Sequence, residues 1–144
     1  MHGKKTDLVR PSESMADLSS NAARQIFSRT PGIFTLESDA SGIQTNIASR
    51  GLSPNRSWEF NMRQNGVDMT PDAFGYPESY YTPPIEAVDR IEIMRGAAGL
   101  QFGPQFGGMV NYVMKNGKQF KRTIGYEGRQ TGGRFQLWDS YNAL

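Results

Sequence analysis

The chain has no cysteine and one histidine in 144 residues. The first absence excludes disulfides and any thiolate site. The second leaves His2, in a polar opening stretch, as the only imidazole. No Cys/His set has zinc spacing, and the sequence offers no evident base to activate one of its many serines. Long hydrophobic runs are also missing. No stretch of 18 apolar residues occurs, so no transmembrane helix is expected. The start, "MHGKKTDLVR", has no apolar segment that reads as a signal peptide. An excess of charge is lacking too: 16 Lys+Arg stand against 14 Asp+Glu, a net +2. No Lys/Arg cluster forms a stripe, so no nucleic-acid partner is expected.

What is present is glycine, at 16 residues, and aromatic side chains, at 11%. With a mean hydropathy of −0.58, this is a polar, turn-rich composition, richer in strand than in helix. The length suits one domain with a modest core. Residues 1–14 are polar and read as a loose lead-in. In residues 15–29, "MADLSSNAARQIFSR", Met15, Leu18, Ala22 and Ile26 recur at helical spacing, and Pro31-Gly32 ends the helix. Short strands follow at "IFTLE" and "NIASRG". In "WEFNMRQNG", Trp58, Phe60 and Met62 alternate with Glu59, Asn61 and Arg63, and Asn65-Gly66 marks a tight hairpin with a short return strand at "GVDM". Residues 70–84, "TPDAFGYPESYYTPP", carry four prolines and four aromatics and read as an ordered surface loop. "PIEAV" fits one helical turn with Pro84 at its start. Ile91 and Ile93 alternate with Arg90, Glu92 and Met94, and Val110, Tyr112 and Met114 alternate with Asn111 and Val113. Beyond them lie two strand-length runs, residues 120–130 and 134–144, around Thr131-Gly132-Gly133. Each has about the length of one membrane-spanning β-strand, 9–11 residues, or of an arm of a soluble hairpin.

Catalysis finds little support. Asp68, Asp72, Asp89 and Glu92 are the carboxylates that could pair, and near turns such groups are usually solvated. The segment of residues 88–115, "VDRIEIMRGAAGLQFGPQFGGMVNYVMK", packs five glycines between two strands. It is not a phosphate cradle: no Lys-Ser/Thr pair follows "GPQFGG", and a strand rather than a helix comes next. Positive φ and close approach of backbones explain the glycines better.

The same segment resembles the plug domain of TonB-dependent outer-membrane receptors. The shared order is a strand ending in Arg-Gly, a turn of small residues, an aromatic-Gly step, and Gly-Gly entering an apolar-Asn strand. Further matches come in order: "RTPGI" resembles the first plug strand entry, "IASRGL" a second Arg-Gly element, and "NMRQNGVDM" the strand–turn–strand hairpin. The resemblance spans about residues 4–117. "GLSPNRS" and "FGYPESYY" are similar to the ferric-citrate-type branch.

The resemblance implies an α+β fold: a plug with a small mixed β-sheet and short helices, followed by the first two strands of a truncated 22-stranded β-barrel. The implied parts are a flexible segment at 1–14, the plug at 15–118 and the start of the barrel at 119–144, so that the chain is a fragment. The implied function is import of a scarce nutrient, a ferric chelate or siderophore, across the outer membrane with energy from TonB, whose box is not seen here. The plug faces the periplasm inside its own barrel. It is not an enzyme, and no cofactor or metal site is expected. Asn55, Arg56, Tyr76, Glu78, Tyr80 and Tyr81, in the two turn-rich loops, are the candidate ligand-binding residues, because rings and a guanidinium suit an anionic chelate. Arg50 and Arg95, each before a glycine, are implied contacts to barrel carboxylates, and without a barrel they would be solvated or borrow a local acid such as Glu92. The alternatives are an importer of a glycan or peptide, or a free-standing periplasmic binding or interaction module.

Overall fold

The computed structural model describes residues 6–13, 22–37, 44–70, 78–119, 124–133 and 138–144. Two compact units divide the chain, residues 1–114 and 115–144. The first is built on a mixed five-stranded sheet. It contains β1 (Thr6–Val9), β4 (Phe60–Gln64), β5 (Val67–Asp68), β6 (Val88–Arg95) and β7 (Gly108–Met114) in the order β1-β6-β7-β4-β5. The β4–β7 pair is parallel and the others are antiparallel. Among the described residues, one short helix, α1 (Ala22–Ser28), and a two-stranded antiparallel sheet of β2 (Ile33–Glu37) and β3 (Thr45–Ser49) accompany it.

Alternation puts one face of the central strands into the core. Phe60 and Met62 of β4, Ile91 and Ile93 of β6, and Val110 and Tyr112 of β7 are fully buried. They meet Ile26 and Phe27 of α1 and Ile47 of β3. The Phe27 and Tyr112 rings pack edge to face, with centroids 6.5 Å apart. In β6 the strict alternation fails once, since Val88 and Ile91 are both buried. A register shift between Val88 and Arg90 accounts for it: an extra residue in one strand turns the following side chains to the other face. The Asn65-Gly66 turn has positive φ at both residues, 50° and 82°, as the tightest hairpin loop requires.

The glycines between β6 and β7 now have a use. Gly108 opens β7 at φ 136°, and a Cβ there would overlap the Met94 carbonyl oxygen on the neighbouring strand. A Cβ on Gly99 would come within 2.9 Å of the Gly108 Cα. The loop therefore folds back with backbone against backbone, which only glycine permits.

Two expectations from sequence need correction. The opening stretch is not loose throughout: Thr6–Val9 forms the edge strand β1 against β6. Its partner lies more than 80 residues away, and a four-residue run carries no local signal of such pairing. Trp58 does not share the buried face of Phe60 and Met62. It follows a 3-10 turn over Asn55–Ser57, has helical φ and ψ (−45°, −39°) and is 39% exposed. The strand begins only at Phe60. The helix is described from Ala22, so the predicted positions Met15 and Leu18 lie outside the described residues.

In the second unit, β8 (Glu127–Gly132) and β9 (Trp138–Ala143) pair antiparallel, with Glu127 opposite Ala143 and Gly132 opposite Trp138. Both strands are shorter than the runs read from sequence. Ile124, Tyr126 and Trp138 are each more than two-thirds exposed.

Candidate functional site

The strand β3 is buried at all five positions, and β2 pairs with one edge only. Side chains from two later loops satisfy part of the other edge. The Ile47 amide donates to Ser57 Oγ at 2.9 Å. The Thr45 amide donates to Thr82 Oγ1 at 3.0 Å, and that hydroxyl donates in turn to the Thr45 carbonyl at 3.3 Å. Buried backbone groups rarely go unpaired, so these contacts fix where the loops lie. The loops also join each other. The Ser79 amide donates to the Arg56 carbonyl at 2.7 Å, and Gln44 Nε2 donates to the Ser79 carbonyl at 3.1 Å. Arg56 and Ser57 both hold positive φ, 49° and 50°, an uncommon backbone for such residues that the surrounding hydrogen bonds maintain.

This stitching brings three of the expected ligand residues together. Arg56 Nη1 donates to Glu78 Oε2 at 2.7 Å, and the Tyr80 hydroxyl donates to the same oxygen. The Arg56 guanidinium lies 5.3 Å from the centre of the Tyr80 ring, within reach of a cation–π contact. The hydrogen bond from Tyr80, then that from Arg56, holds the Glu78 carboxyl below the usual carboxylate range. The same hydrogen bond to Glu78 holds the Tyr80 phenol above its ordinary value, and the Glu78 contact raises Arg56. Asn55 is exposed beside Arg56, its amide donating to Ser53 Oγ at 3.3 Å. Tyr81 is 48% exposed next to Tyr80. Tyr76 lies outside the described residues.

The two arginines that precede glycines behave differently. Arg95 makes an ion pair with Asp7 of β1, not with Glu92. Glu92 accepts from Arg90 Nε at 2.9 Å and from Asn111 Nδ2 at 3.0 Å, being on the polar face of β6 between both donors. Arg95 Nε is buried with no hydrogen-bond partner, and the side chain lines a groove with Asp7, Val9, Arg29, Thr30 and Pro31. The Arg50 guanidinium lies against Gly96, 3.4 Å from where a Cβ would stand. No ion pair joins Arg50 to another described residue. Among the described residues no cluster of acidic, histidine or cysteine side chains could hold a metal ion.

Sequence reading missed Arg63. It donates to Asn61 Oδ1 and to the Gly66 carbonyl, each at 2.7 Å, and to the Phe102 carbonyl at 3.0 Å, while lying 5.0 Å from the Phe102 ring centre. Asn61 passes the network on to Asp68 at 2.8 Å. The guanidinium thus fastens the glycine-rich loop to the sheet. The only sequence hint was its place on the polar side of the β4 alternation.

A family model described as the TonB-dependent receptor plug domain matches residues 7–110. The chain belongs to the TonB-dependent receptor plug domain family. Plug domains of this family are transport modules rather than enzymes. The plug is 27% identical over 132 residues to the ferripyoverdine receptor of Pseudomonas aeruginosa, covering 91% of this chain and 15% of that protein. It is 26% identical over 134 residues to the ferric-pyoverdine M114 receptor PbuA of Pseudomonas sp. strain M114, covering 92% and 15%. Among solved structures, the unliganded ferric citrate transporter FecA superposes with a TM-score of 0.65 at 25% identity, over 80% of this chain and 18% of that one. The siderophore receptor PirA from Acinetobacter baumannii superposes at 0.56 and 21% identity, over 85% and 18%, and supports the fold alone. The plug therefore spans about 15% of the length of the curated relatives it matches.

Proposed function

We propose that the chain is the plug of an outer-membrane active transporter that binds and imports a ferric chelate with energy from TonB. The observation that carries this reading is the family match across residues 7–110. The likeness to a ferripyoverdine receptor and to a ferric citrate transporter favours iron chelates as cargo. On this reading the plug faces the periplasm within a barrel, and residues 119–144 begin that barrel, with β8 and β9 its first two strands of 22. Asn55, Arg56, Tyr76, Glu78, Tyr80 and Tyr81 form the cargo-binding loops. Arg50 and Arg95 meet barrel carboxylates, Arg95 from the groove that it lines with Asp7 and Arg29.

The test is uptake of radiolabelled ferric chelate by a Gram-negative strain that carries the full reading frame, with and without functional TonB. Uptake should require TonB. Arg56→Ala and Tyr80→Ala should each lower it at least about tenfold if they remove a charge-assisted contact to the cargo, with unchanged receptor in the outer membrane. Uptake that persists without TonB, or is indifferent to both variants, overturns the reading of transport or of the site respectively.

A further inference from the structure

Glu78 stands among the expected cargo contacts, yet its geometry gives it another part. Arg56 Nη1 and the Tyr80 hydroxyl both donate to one atom, Glu78 Oε2. Two donors converging on a single anionic oxygen form a carboxylate cradle, and the carboxylate in it belongs to the protein. The occupant is the tucked member of the group: its side chain is 13% exposed, against 49% for Arg56. A ligand arriving from solvent meets the guanidinium first. The backbone on either side of the cradle is held independently of the carboxylate. Ser79 is fixed through its amide to Arg56 and through its carbonyl to Gln44, and Ser57 is fixed through its hydroxyl to β3. Emptying the cradle thus requires only rotation of the Glu78 side chain, while the loops stay in place.

We infer that Glu78 is an internal surrogate ligand: it fills the Arg56–Tyr80 cradle in the free plug and is exchanged for a carboxylate of the incoming chelate. The inference rests on the cargo reading above and specifies it. The ligand presents a carboxylate, and the selectivity is competitive. With Glu78 in place the arginine is neutralised, and neutral or weakly charged molecules gain nothing from it. A carboxylate that satisfies both donors replaces the interaction lost, and Glu78 then turns outward. The exchange is affordable because an ion pair whose guanidinium is half exposed is weak, equivalent to no more than about a fivefold change in binding.

Citrate is a suitable probe, titrated into the full 144-residue chain and followed by amide chemical shifts of residues 55–57 and 78–82. Glu78→Gln keeps the size of the side chain and removes its charge, so it should tighten citrate binding by about threefold to fivefold. Glu78→Ala should shift affinity in the same direction. Arg56→Gln should abolish binding with Glu78 present or replaced, and Tyr80→Phe should remove part of the gain seen with Glu78→Gln. Amide shifts of β6 and β7 that match the wild type establish that each variant is folded. Unchanged or weaker citrate binding in both Glu78 variants overturns the inference, and so does citrate binding that survives Arg56→Gln. These outcomes are separable from the transport reading, because they are read on the plug without TonB or uptake.

Discussion

The two units of the chain use β-pairing to different ends. In the first, the sheet has one face closed by α1 and β3, and Ile91, Ile93, Val110 and Tyr112 lose contact with water entirely. In the second, β8 and β9 pair as regularly, residue for residue, and yet Trp138 of β9 is 70% exposed and Tyr126, just before β8, is 68% exposed. Backbone hydrogen bonds alone make a weak hairpin, and a buried face supplies the stability. The first unit is thus specified by its own sequence. Among the described residues, the second leaves Ile124, Tyr126 and Trp138 largely in water.

The sharpest contrast is between glycines. Gly108→Ala, in the first unit, places a methyl on the Met94 carbonyl at a positive φ. Strain and overpacking together should cost about 4 kcal/mol. Gly132→Ala, in the second, meets nothing closer than 3.9 Å and has no positive φ, so it should change stability by less than about 0.5 kcal/mol. Urea unfolding of the two variants measures both. A similar loss in each would break the contrast.

Core truncation should follow the same division at slightly smaller amplitude. Ile93→Ala removes a side chain with no exposure and should cost about 3 kcal/mol. Trp138→Ala removes a larger one that is mostly in water and should leave the main unfolding transition within about 0.5 kcal/mol. If Trp138→Ala lowers the midpoint as far as Ile93→Ala does, the second unit shares the core of the first.

The sequence carried these elements unequally. The alternation of Ile91 and Ile93 and of Val110 and Tyr112, and the Asn65-Gly66 turn, are local patterns set by the side-chain period of a strand and by turn geometry, and all were legible. The strand β1 was not, since "TDLV" gains its conformation from β6 across the domain. Trp58 was misassigned because pattern alone does not show where a 3-10 turn gives way to a strand. The residues of the candidate site were nameable as loop aromatics and an arginine. Their roles were not, because the Arg56–Glu78 pair depends on two loops meeting along the edge of β3. The Asp7–Arg95 pair was invisible for the same reason.

The smallest expected effect compares surface ion pairs in the two units. Glu78 has a folded-state value below the ordinary carboxylate range. Its contribution to stability is therefore fully present above that range and is lost as pH falls through the folded value. Tyr80, held above its ordinary value by Glu78, contributes below the ordinary phenol range and loses its contribution as pH rises through the raised value. Glu78→Gln should flatten both limbs of the stability–pH profile slightly. Lys115→Ala, which removes the 2.9 Å pair with Glu127 in the second unit, should leave the profile unchanged. A larger change for Lys115→Ala than for Glu78→Gln, followed by thermal unfolding across the pH range, would reverse the ranking.

The order β1-β6-β7-β4-β5 also sets a timetable. Only β4–β5 and β6–β7 join strands that follow each other in the chain. The β1–β6 pair must close a loop of about 80 residues before it gains a single hydrogen bond, and the parallel β4–β7 pair must wait for the last strand of the sheet. A ribosome that has released Phe60–Gln64 has therefore made a strand with only a two-residue partner, and Ile91 and Ile93 emerge before the strand that will cover their edge. Such non-local closure slows folding. The sheet is therefore complete only once Gly108–Met114 is available, because β7 joins the β1–β6 half to the β4–β5 half.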